Sequence, residues 1–328
     1  MAERGLYKFG GLLLIAILVI SAVAYATSGG RPAAEATPAA LDDARTGAAP
    51  LAQTERDETA APAEAVCAPD GAPRPLDAEI HESSGVAVSR AHAGIFWTHN
   101  DSGDPLLYAV DAQGRTAGRV RVAGASVEDW EDVALAPCPA SGDCLYVADI
   151  GDNDAERASI TVYRIPEPAP GASQSAPATA IRLRYPDGAH DAEALFVLNG
   201  AIHVVTKGES GPVVLYRAPA DAGAEATLQR VRALSADKVD RQERITAADA
   251  SPDGRWIVLR TLHEAAFYPA AALAESGPLS PRRVDLHGLD EKQGEGIGFG
   301  PDGSVYLTSE GGKKNARATF ARLSCTLP

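Results

Sequence analysis

Short apolar segments recur along the chain about every fifty residues, and this repeat restricts the possible folds more than any other feature. Five of the segments begin with a polar residue and continue with alternating apolar and small side chains, which is typical of β-strands. Their intervals are 47, 62, 53 and 49 residues, and their first residues are Ser84, Glu131, Glu193, Thr246 and Glu295. A strand pattern repeated at this interval favours an architecture built from equivalent sheets.

Further strands follow each of these segments in a constant order. Second strands begin at residues 95, 145, 202, 256 and 305. Third strands carry a tyrosine at one register, at positions 108, 163, 216 and 268, and the fifth carries Ala321 there. We interpret the tyrosines as packing between sheets, since aromatic residues are enriched in strands generally. Weaker fourth strands end near residues 122, 185, 234 and 286. Four short strands per unit predict an all-β fold with a single β-propeller.

The number of units favours five blades, and six remain possible if the long interval before Ala192 contains a degenerate blade. The fifth unit lacks a fourth strand because the sequence ends at Pro328. We expect residues 67–80 to supply this strand, so that an N-terminal strand closes the ring and leaves no open edge.

Four cysteines permit three pairings. Cys67 and Cys325 lie at the two ends of the predicted propeller, where a disulfide would hold the closing strand in place. Cys138 and Cys144 are six residues apart across a predicted turn. We therefore predict the pairs Cys67–Cys325 and Cys138–Cys144.

The N-terminal segment has the layout of an export signal. Arg4 and Lys8 precede an apolar run at residues 11–24, and the small-residue triplet at 24–26 follows. We predict a signal peptide or N-terminal membrane anchor at residues 1–26, a disordered Ala/Pro-rich tether at 27–66 and the propeller at 67–328. The protein is then exported, that is periplasmic, secreted or tethered to the outer side of the membrane, where disulfides persist.

The formal net charge of −14 excludes partners that need a basic surface, namely nucleic acid and anionic membranes. Membrane contact is expected only through the N-terminal segment, if it is uncleaved. We expect a monomer that binds a small anionic or sugar-like ligand.

Acidic residues dominate the loops on one face of the predicted propeller, where the chain approaches each innermost strand and leaves each second strand. Few basic residues accompany them, and only Lys207 and Arg260 stand out. Carboxylates crowded in this way repel each other unless protons or hard metal ions intervene, and calcium accepts many oxygen ligands in loose geometry. We therefore predict a calcium site at this mouth, with ligands among Glu82, Asp101, Glu131, Asp149, Asp152, Glu193, Asp249, Glu295 and Glu310.

Several segments resemble a group of exported bacterial β-propeller proteins that mostly lack an assigned activity. They are SerGlyValAlaValSer at 84–89, AspTrpGluAspValAla at 129–134, LeuTyrValAlaAspIleGlyAspAsn at 145–153 and HisAspAlaGluAla at 190–194. More distantly, the chain resembles the β-propeller phytases and the esterase-like propellers grouped with them, in which acidic loops hold calcium and basic side chains take the phosphate. The resemblance implies metal binding by several of the same carboxylates, and binding of an anionic ligand by Lys207 and Arg260.

Two functions from different classes follow from these features. The first is a metal-dependent hydrolase of phosphoesters or carboxyl esters, in which Glu193, Lys207 and Arg260 are the catalytic residues. A serine nucleophile has no support, since the Gly-x-Ser-x-Gly motif does not occur. The second is a non-catalytic propeller, on the cell surface or in the periplasm, that presents the mouth to a ligand or partner.

Overall fold

A computed structural model describes residues 66–275, 277–312 and 316–327 of the chain. The predicted signal peptide or anchor, and the predicted tether up to residue 65, lie outside the described residues. Within the described ranges the chain forms twenty-two β-strands and a single short α-helix, α1 (Ala270–Ala274). No helix in this part of the protein is long and apolar enough to span a bilayer.

The strands form five sheets, which are the blades of a propeller. Blade 1 contains β3 (Ser83–Val88), β4 (Ile95–Asn100), β5 (Leu106–Asp111) and β6 (Thr116–Arg121). Blade 2 contains β7 (Trp130–Pro137), β8 (Asp143–Asp149), β9 (Ile160–Pro166) and β10 (Thr179–Arg184), with β14 (Glu225–Thr227) added parallel to β10. Blade 3 contains β11 (Ala192–Leu198), β12 (Ala201–Thr206), β13 (Val214–Pro219) and β15 (Gln229–Ala233). Blade 4 contains β16 (Ala247–Ala250), β17 (Trp256–Arg260), β18 (Glu264–Pro269) and β19 (Arg282–Asp285).

Blade 5 combines both ends of the described chain. It contains β20 (Gln293–Phe299), β21 (Val305–Glu310) and β22 (Thr319–Thr326), and its outer strand is β1 (Val66–Pro69), antiparallel to β22. The short β2 (Arg74–Pro75) pairs with the start of β22. The predicted closure of the ring by an N-terminal strand is therefore confirmed. The five-blade prediction is confirmed as well. The long interval before β11 contains no additional blade among the described residues, and its length comes from long connections at 150–159 and 167–178 within blade 2.

Both predicted disulfides are present. Cys67 and Cys325 face each other in the β1–β22 ladder, and Cys138 and Cys144 join the ends of the β7–β8 hairpin. The pairs agree with an oxidising compartment, where such bonds persist.

The core is divided into five hydrophobic clusters, one between each pair of adjacent blades. Each blade is therefore buried on both faces, and its two innermost strands are buried at nearly every position, whereas outer strands such as β6 and β10 alternate buried and exposed residues. Tyr108, Tyr163, Tyr216 and Tyr268 each pack against the preceding blade, as interpreted from the sequence.

The innermost strands approach each other closely around the axis. A Cβ atom added to Gly85 in β3 would lie 2.6 Å from the backbone nitrogen of Val133 in β7. A Cβ atom added to Gly296 in β20 would lie 2.8 Å from the carbonyl carbon of Gly85. Real contacts of this kind are much longer, so only glycine permits the backbones of blades 5, 1 and 2 to meet.

Candidate functional site

A cavity of about 260 Å³ opens at the propeller axis, and we call it the central mouth. All five blades contribute to its lining, which contains six carboxyl groups and three basic side chains. These charged residues are Asp101, Asp129, Glu131, Glu193, Glu295, Glu310, Lys207, Arg241 and Arg244. The mouth is therefore acidic in composition, with a basic segment on its blade 3 and blade 4 side.

β-Bulges place the deepest of these side chains. The ladders between first and second strands shift register between Trp130 and Asp132, between Ala192 and Ala194, and between Gly294 and Ile297. Each shift spans one glutamate of the mouth, and the corresponding shift in blade 1 spans Ser84. A bulge adds a residue to one strand and re-aims its side chain, so the same local distortion sends an equivalent residue to the axis from four blades.

Burial controls the protonation of the mouth carboxyls. It raises the pKa of Glu193 to about 7, although the neighbouring Lys207 opposes the shift. Burial, followed by the charges of Asp101 and Glu82, raises the pKa of Glu310 to about 7. Glu131 and Glu295 have a pKa raised well above its ordinary value by burial and by the charge of Glu193. These buried acids therefore release their protons at higher pH than exposed carboxyls do, and Glu193 and Glu310 do so near neutral pH.

Lys207 is the basic centre of the mouth. Its ammonium group forms an ion pair with Glu193 Oε1, and it lies 3.5 Å from Asp191 Oδ2 and 3.9 Å from Glu209 Oε2. Although burial opposes the shift, the charges of Glu193 and Asp191 raise the pKa of Lys207 above its usual value. Lys207 therefore stays charged and offsets part of the negative charge around it.

Two carboxylate oxygens of the mouth have no hydrogen-bond partner in the part of the chain that the structure describes. They are Glu295 Oε2 and Asp101 Oδ1, and both atoms are buried. Glu131 Oε2 receives a single long hydrogen bond, 3.4 Å, from the Ser84 hydroxyl. Buried polar atoms are normally satisfied, so these oxygens are available to a ligand with positive charge or donor groups.

The structure brings together five of the nine predicted metal ligands at the mouth: Asp101, Glu131, Glu193, Glu295 and Glu310. Glu82 is part-exposed beside them, where it accepts a hydrogen bond of 2.9 Å from the Ser102 hydroxyl. The other three carboxylates, Asp149, Asp152 and Asp249, do not line the cavity.

These three carboxylates accept hydrogen bonds from backbone amides instead. Asp149 accepts hydrogen bonds from the amides of residues 128 and 129 at 3.2 Å and forms an ion pair of 3.0 Å with Arg157. Asp152 accepts hydrogen bonds from the amides of residues 156 and 157. Asp249 accepts one from the Phe299 amide at 2.7 Å, which ties blade 4 to blade 5. Their oxygens are already satisfied, so the structure gives no support for metal binding by them.

Arg260 does not line the mouth either. It is fully buried, donates hydrogen bonds to the carbonyl oxygens of Gly296 at 2.7 Å and Thr308 at 2.9 Å, and forms an ion pair with Glu291. Its guanidinium therefore joins blade 4 to blade 5 and is not free for an anionic ligand.

Sequence reasoning missed Arg241 and Arg244, the basic residues that do line the mouth. They lie three positions apart in the segment before β16, within a stretch of mixed charge at residues 237–244. A solvated surface loop has the same composition, so nothing in the sequence distinguished arginines that line the mouth from arginines exposed on such a loop.

The mouth matches calcium in the type of donor that it offers, since calcium prefers carboxylate oxygens. Among the described residues, however, no three acidic, histidine or cysteine side chains are grouped closely enough to hold a metal ion. The donor chemistry is present, and the side chains would have to close around an ion.

Without divalent cations, the free energy of unfolding is expected to rise as the pH falls from about 8.5 to about 6.5. Glu193, Glu310 and their neighbours have a higher pKa folded than unfolded, so their stabilising contribution is complete in acid and is lost as the pH rises through the folded value. Asp249, whose pKa burial raises to about 7, adds to this trend. The buried His99 and His203, with a folded pKa of about 4, oppose it in part, because their rings take up protons only in the unfolded chain as the pH falls toward about 6.5. Melting in chelator should show a Tm about 5 °C higher at the lower pH.

A double variant, Glu193→Gln with Glu310→Gln, provides the control for this pH dependence. Two of the titrating groups are then absent, so the Tm should vary less with pH. A Tm in the unmodified protein that is constant or increases with pH over this range would contradict the expectation.

No protein-family model matches the chain, and no curated protein matches it. Solved structures of similar fold exist. PQQ-bound aldose sugar dehydrogenase from Streptomyces coelicolor is 12% identical, with a TM-score of 0.50, over 81% of this chain and 100% of that one. The apo-form of the soluble aldose sugar dehydrogenase from Escherichia coli is 10% identical, with a TM-score of 0.47, over 79% and 99%. Regucalcin from Agrobacterium tumefaciens, a calcium-binding protein, is 15% identical, with a TM-score of 0.42, over 76% and 90%.

At such low identity, the first of these likenesses shows the propeller fold alone. The resemblance to the phytases stays a prediction.

Proposed function

We propose that this protein is an exported propeller that binds calcium at the central mouth. The observation that carries the proposal is the group of buried mouth carboxyls, among which Glu295 Oε2 and Asp101 Oδ1 have no hydrogen-bond partner within the described chain. Four blades supply these carboxyls, three of them through a bulged innermost strand.

Electrostatics favours a cation at this position. Burial raises the pKa of Glu131, Glu193 and Glu295, and neighbouring carboxylates raise it further: Glu193 acts on Glu131 and Glu295, and Asp191 and Asp129 act on Glu193. A divalent ion removes this repulsion and replaces the protons that the carboxyls otherwise hold. Calcium suits the mouth better than magnesium, since it tolerates irregular geometry and a variable number of oxygen ligands.

Calcium should therefore bind with release of protons at neutral pH. Titration calorimetry in two buffers of different ionisation enthalpy measures the number of protons released, and thermal melts in calcium and in chelator measure the stabilisation. At calcium concentrations about 100-fold above Kd, linkage predicts about 2.7 kcal/mol of added stability. Glu295→Gln should weaken binding by about tenfold, since the variant loses a charged ligand.

Glu225→Gln is the matched control, because Glu225 lies on β14 at the outer edge of blade 2 and pairs with Arg184. This variant should bind calcium as the unmodified protein does. Equal melting temperatures in calcium and chelator, with no heat of binding, would refute the proposed cation site.

Hydrolysis of a phosphoester or carboxyl ester is a second candidate for the same mouth. Glu193 has a pKa of about 7, which suits a general base at neutral pH. Lys207, Arg241 and Arg244 line the mouth close to it and can bind the anionic part of a substrate. When bound, calcium would supply Lewis-acid polarisation of the ester. Arg260, which is buried between blades, has no place in this scheme.

Lys207→Met separates this activity from cation binding. The variant removes a positive charge beside Glu193, so calcium should bind at least as tightly, whereas turnover of p-nitrophenyl phosphate or p-nitrophenyl acetate should be lost. Calcium binding by the unmodified protein without turnover of either ester would assign the non-catalytic alternative, in which the mouth holds a small anionic or sugar-like ligand through calcium and the basic side chains.

A further inference from the structure

A second and larger cavity lies in the cleft between blades 3 and 4, and we call it the blade 3–4 cavity. Its volume is about 560 Å³, within the range of about 300–1,000 Å³ that is usual for small-molecule sites. It is separate from the central mouth. The segment 241–245 forms the wall between them, since Arg241 and Arg244 line the mouth whereas Gln242, Glu243 and Ile245 line the blade 3–4 cavity.

Part of this cavity's lining is apolar and rigid. Val213, Ile245, Leu259 and Ala266 line it, and each is at most 7% exposed. All four belong to the hydrophobic cluster that holds blades 3 and 4 together. This surface can therefore receive the apolar body of a ligand without rearrangement of the fold.

Polar groups gather on the blade 4 side of the cavity. The imidazole rings of His263 and His287 stack with their centroids 4.4 Å apart. His287 Nδ1 lies 2.6 Å from Asp285 Oδ1, and Glu264 forms an ion pair with Arg283. An apolar surface with a few convergent polar groups is the usual composition of a small-molecule site.

The charged groups that line the cavity determine whether it favours a positively or a negatively charged ligand. Arg283 offsets Glu264, and His287 bonds to one oxygen of Asp285, which leaves the second oxygen of Asp285 and the carboxylate of Glu243. Burial and the neighbouring His287 lower the pKa of His263, so its ring carries less positive charge near neutral pH than a free imidazole would. The cavity therefore has an excess of negative charge, in a chain whose formal net charge is −14.

We propose that the blade 3–4 cavity binds a small organic cation, an amine with an aromatic or aliphatic body. The body packs on Val213, Leu259 and Ala266, and the ammonium group donates hydrogen bonds to Asp285 and Glu243. This site does not depend on calcium binding or hydrolysis at the central mouth.

Two probes with the same aromatic body and opposite head charge test the proposal. Titration calorimetry on the full chain at neutral pH should detect binding of 2-phenylethylamine, with 3-phenylpropanoate at least about tenfold weaker. The double variant Asp285→Asn with Glu243→Gln should weaken amine binding by about tenfold or more, since it removes charge-assisted hydrogen bonds. Both side chains are exposed, so this variant should fold normally.

Two further variants complete the design. Ala266→Leu fills part of the apolar surface and should lower amine affinity, whereas Asp221→Asn, at a different cavity that contains residues of blades 2, 3 and 4, should leave it unchanged. The proposal is overturned by any of three results: no binding of the amine at millimolar concentration, equal affinity for the carboxylate probe, or unchanged affinity in the Asp285→Asn, Glu243→Gln protein.

Discussion

Replacing Cys67 and Cys325 by serine is expected to lower the free energy of unfolding by about 5 kcal/mol. The two cysteines are 258 residues apart in sequence, so their bond restricts the unfolded chain across almost the whole propeller. It also holds β1 in place, a strand of four residues that is mostly exposed. Without the bond, β1 can leave β22 and open the edge of blade 5.

The pair Cys138→Ser with Cys144→Ser is the matched control, because it removes the same atoms from a bond that spans only six residues. Its loss should cost about 2 kcal/mol on the same loop-length argument. Unfolding in guanidinium chloride, followed by circular dichroism, measures both changes. Equal losses for the two double variants would show that ring closure does not depend on the Cys67–Cys325 bond.

Arg260→Ala is expected to destabilise the protein by about 3–5 kcal/mol, the usual cost of breaking a buried ion pair. The substitution leaves Glu291 buried without its partner, and it removes the hydrogen bonds to the carbonyl oxygens of Gly296 and Thr308. Burial already raises the pKa of Glu291, so the variant should bind an additional proton near neutral pH.

Two comparisons make this expectation specific. Replacing both partners, Arg260→Met with Glu291→Leu, should recover most of the loss, since no unpaired charge remains. Arg283→Ala breaks the more exposed pair with Glu264 and should cost less than about 1 kcal/mol. If Arg260→Ala instead unfolds like the unmodified protein but loses a ligand at the mouth, Arg260 is a ligand-binding residue and its role as a connection between blades is wrong.

The architecture was predictable because its causes are local and repeated. Each blade is buried on both faces, so its strands are apolar at regular intervals, and five copies of the pattern reinforce one another. The closing strand and the pair Cys67–Cys325 followed from the missing strand of the fifth unit. Glu131, Glu193 and Glu295 reached the mouth as expected, since they share one position in the repeat.

The roles of individual charged residues were decided by the tertiary structure. Arg260 and Asp249 were both expected on the acidic face, yet Arg260 ends β17, Asp249 lies inside β16, and both are used between blades. Strand alternation alone does not specify where a bulge inserts a residue, and a shift of one position sends a side chain to the opposite face. Whether a charged side chain points to the axis or between blades depends on the backbone groups that the neighbouring blade offers it, about fifty residues away in sequence. The sequence by itself therefore determined the ring and its closure, whereas contacts between blades decided which charges face the axis.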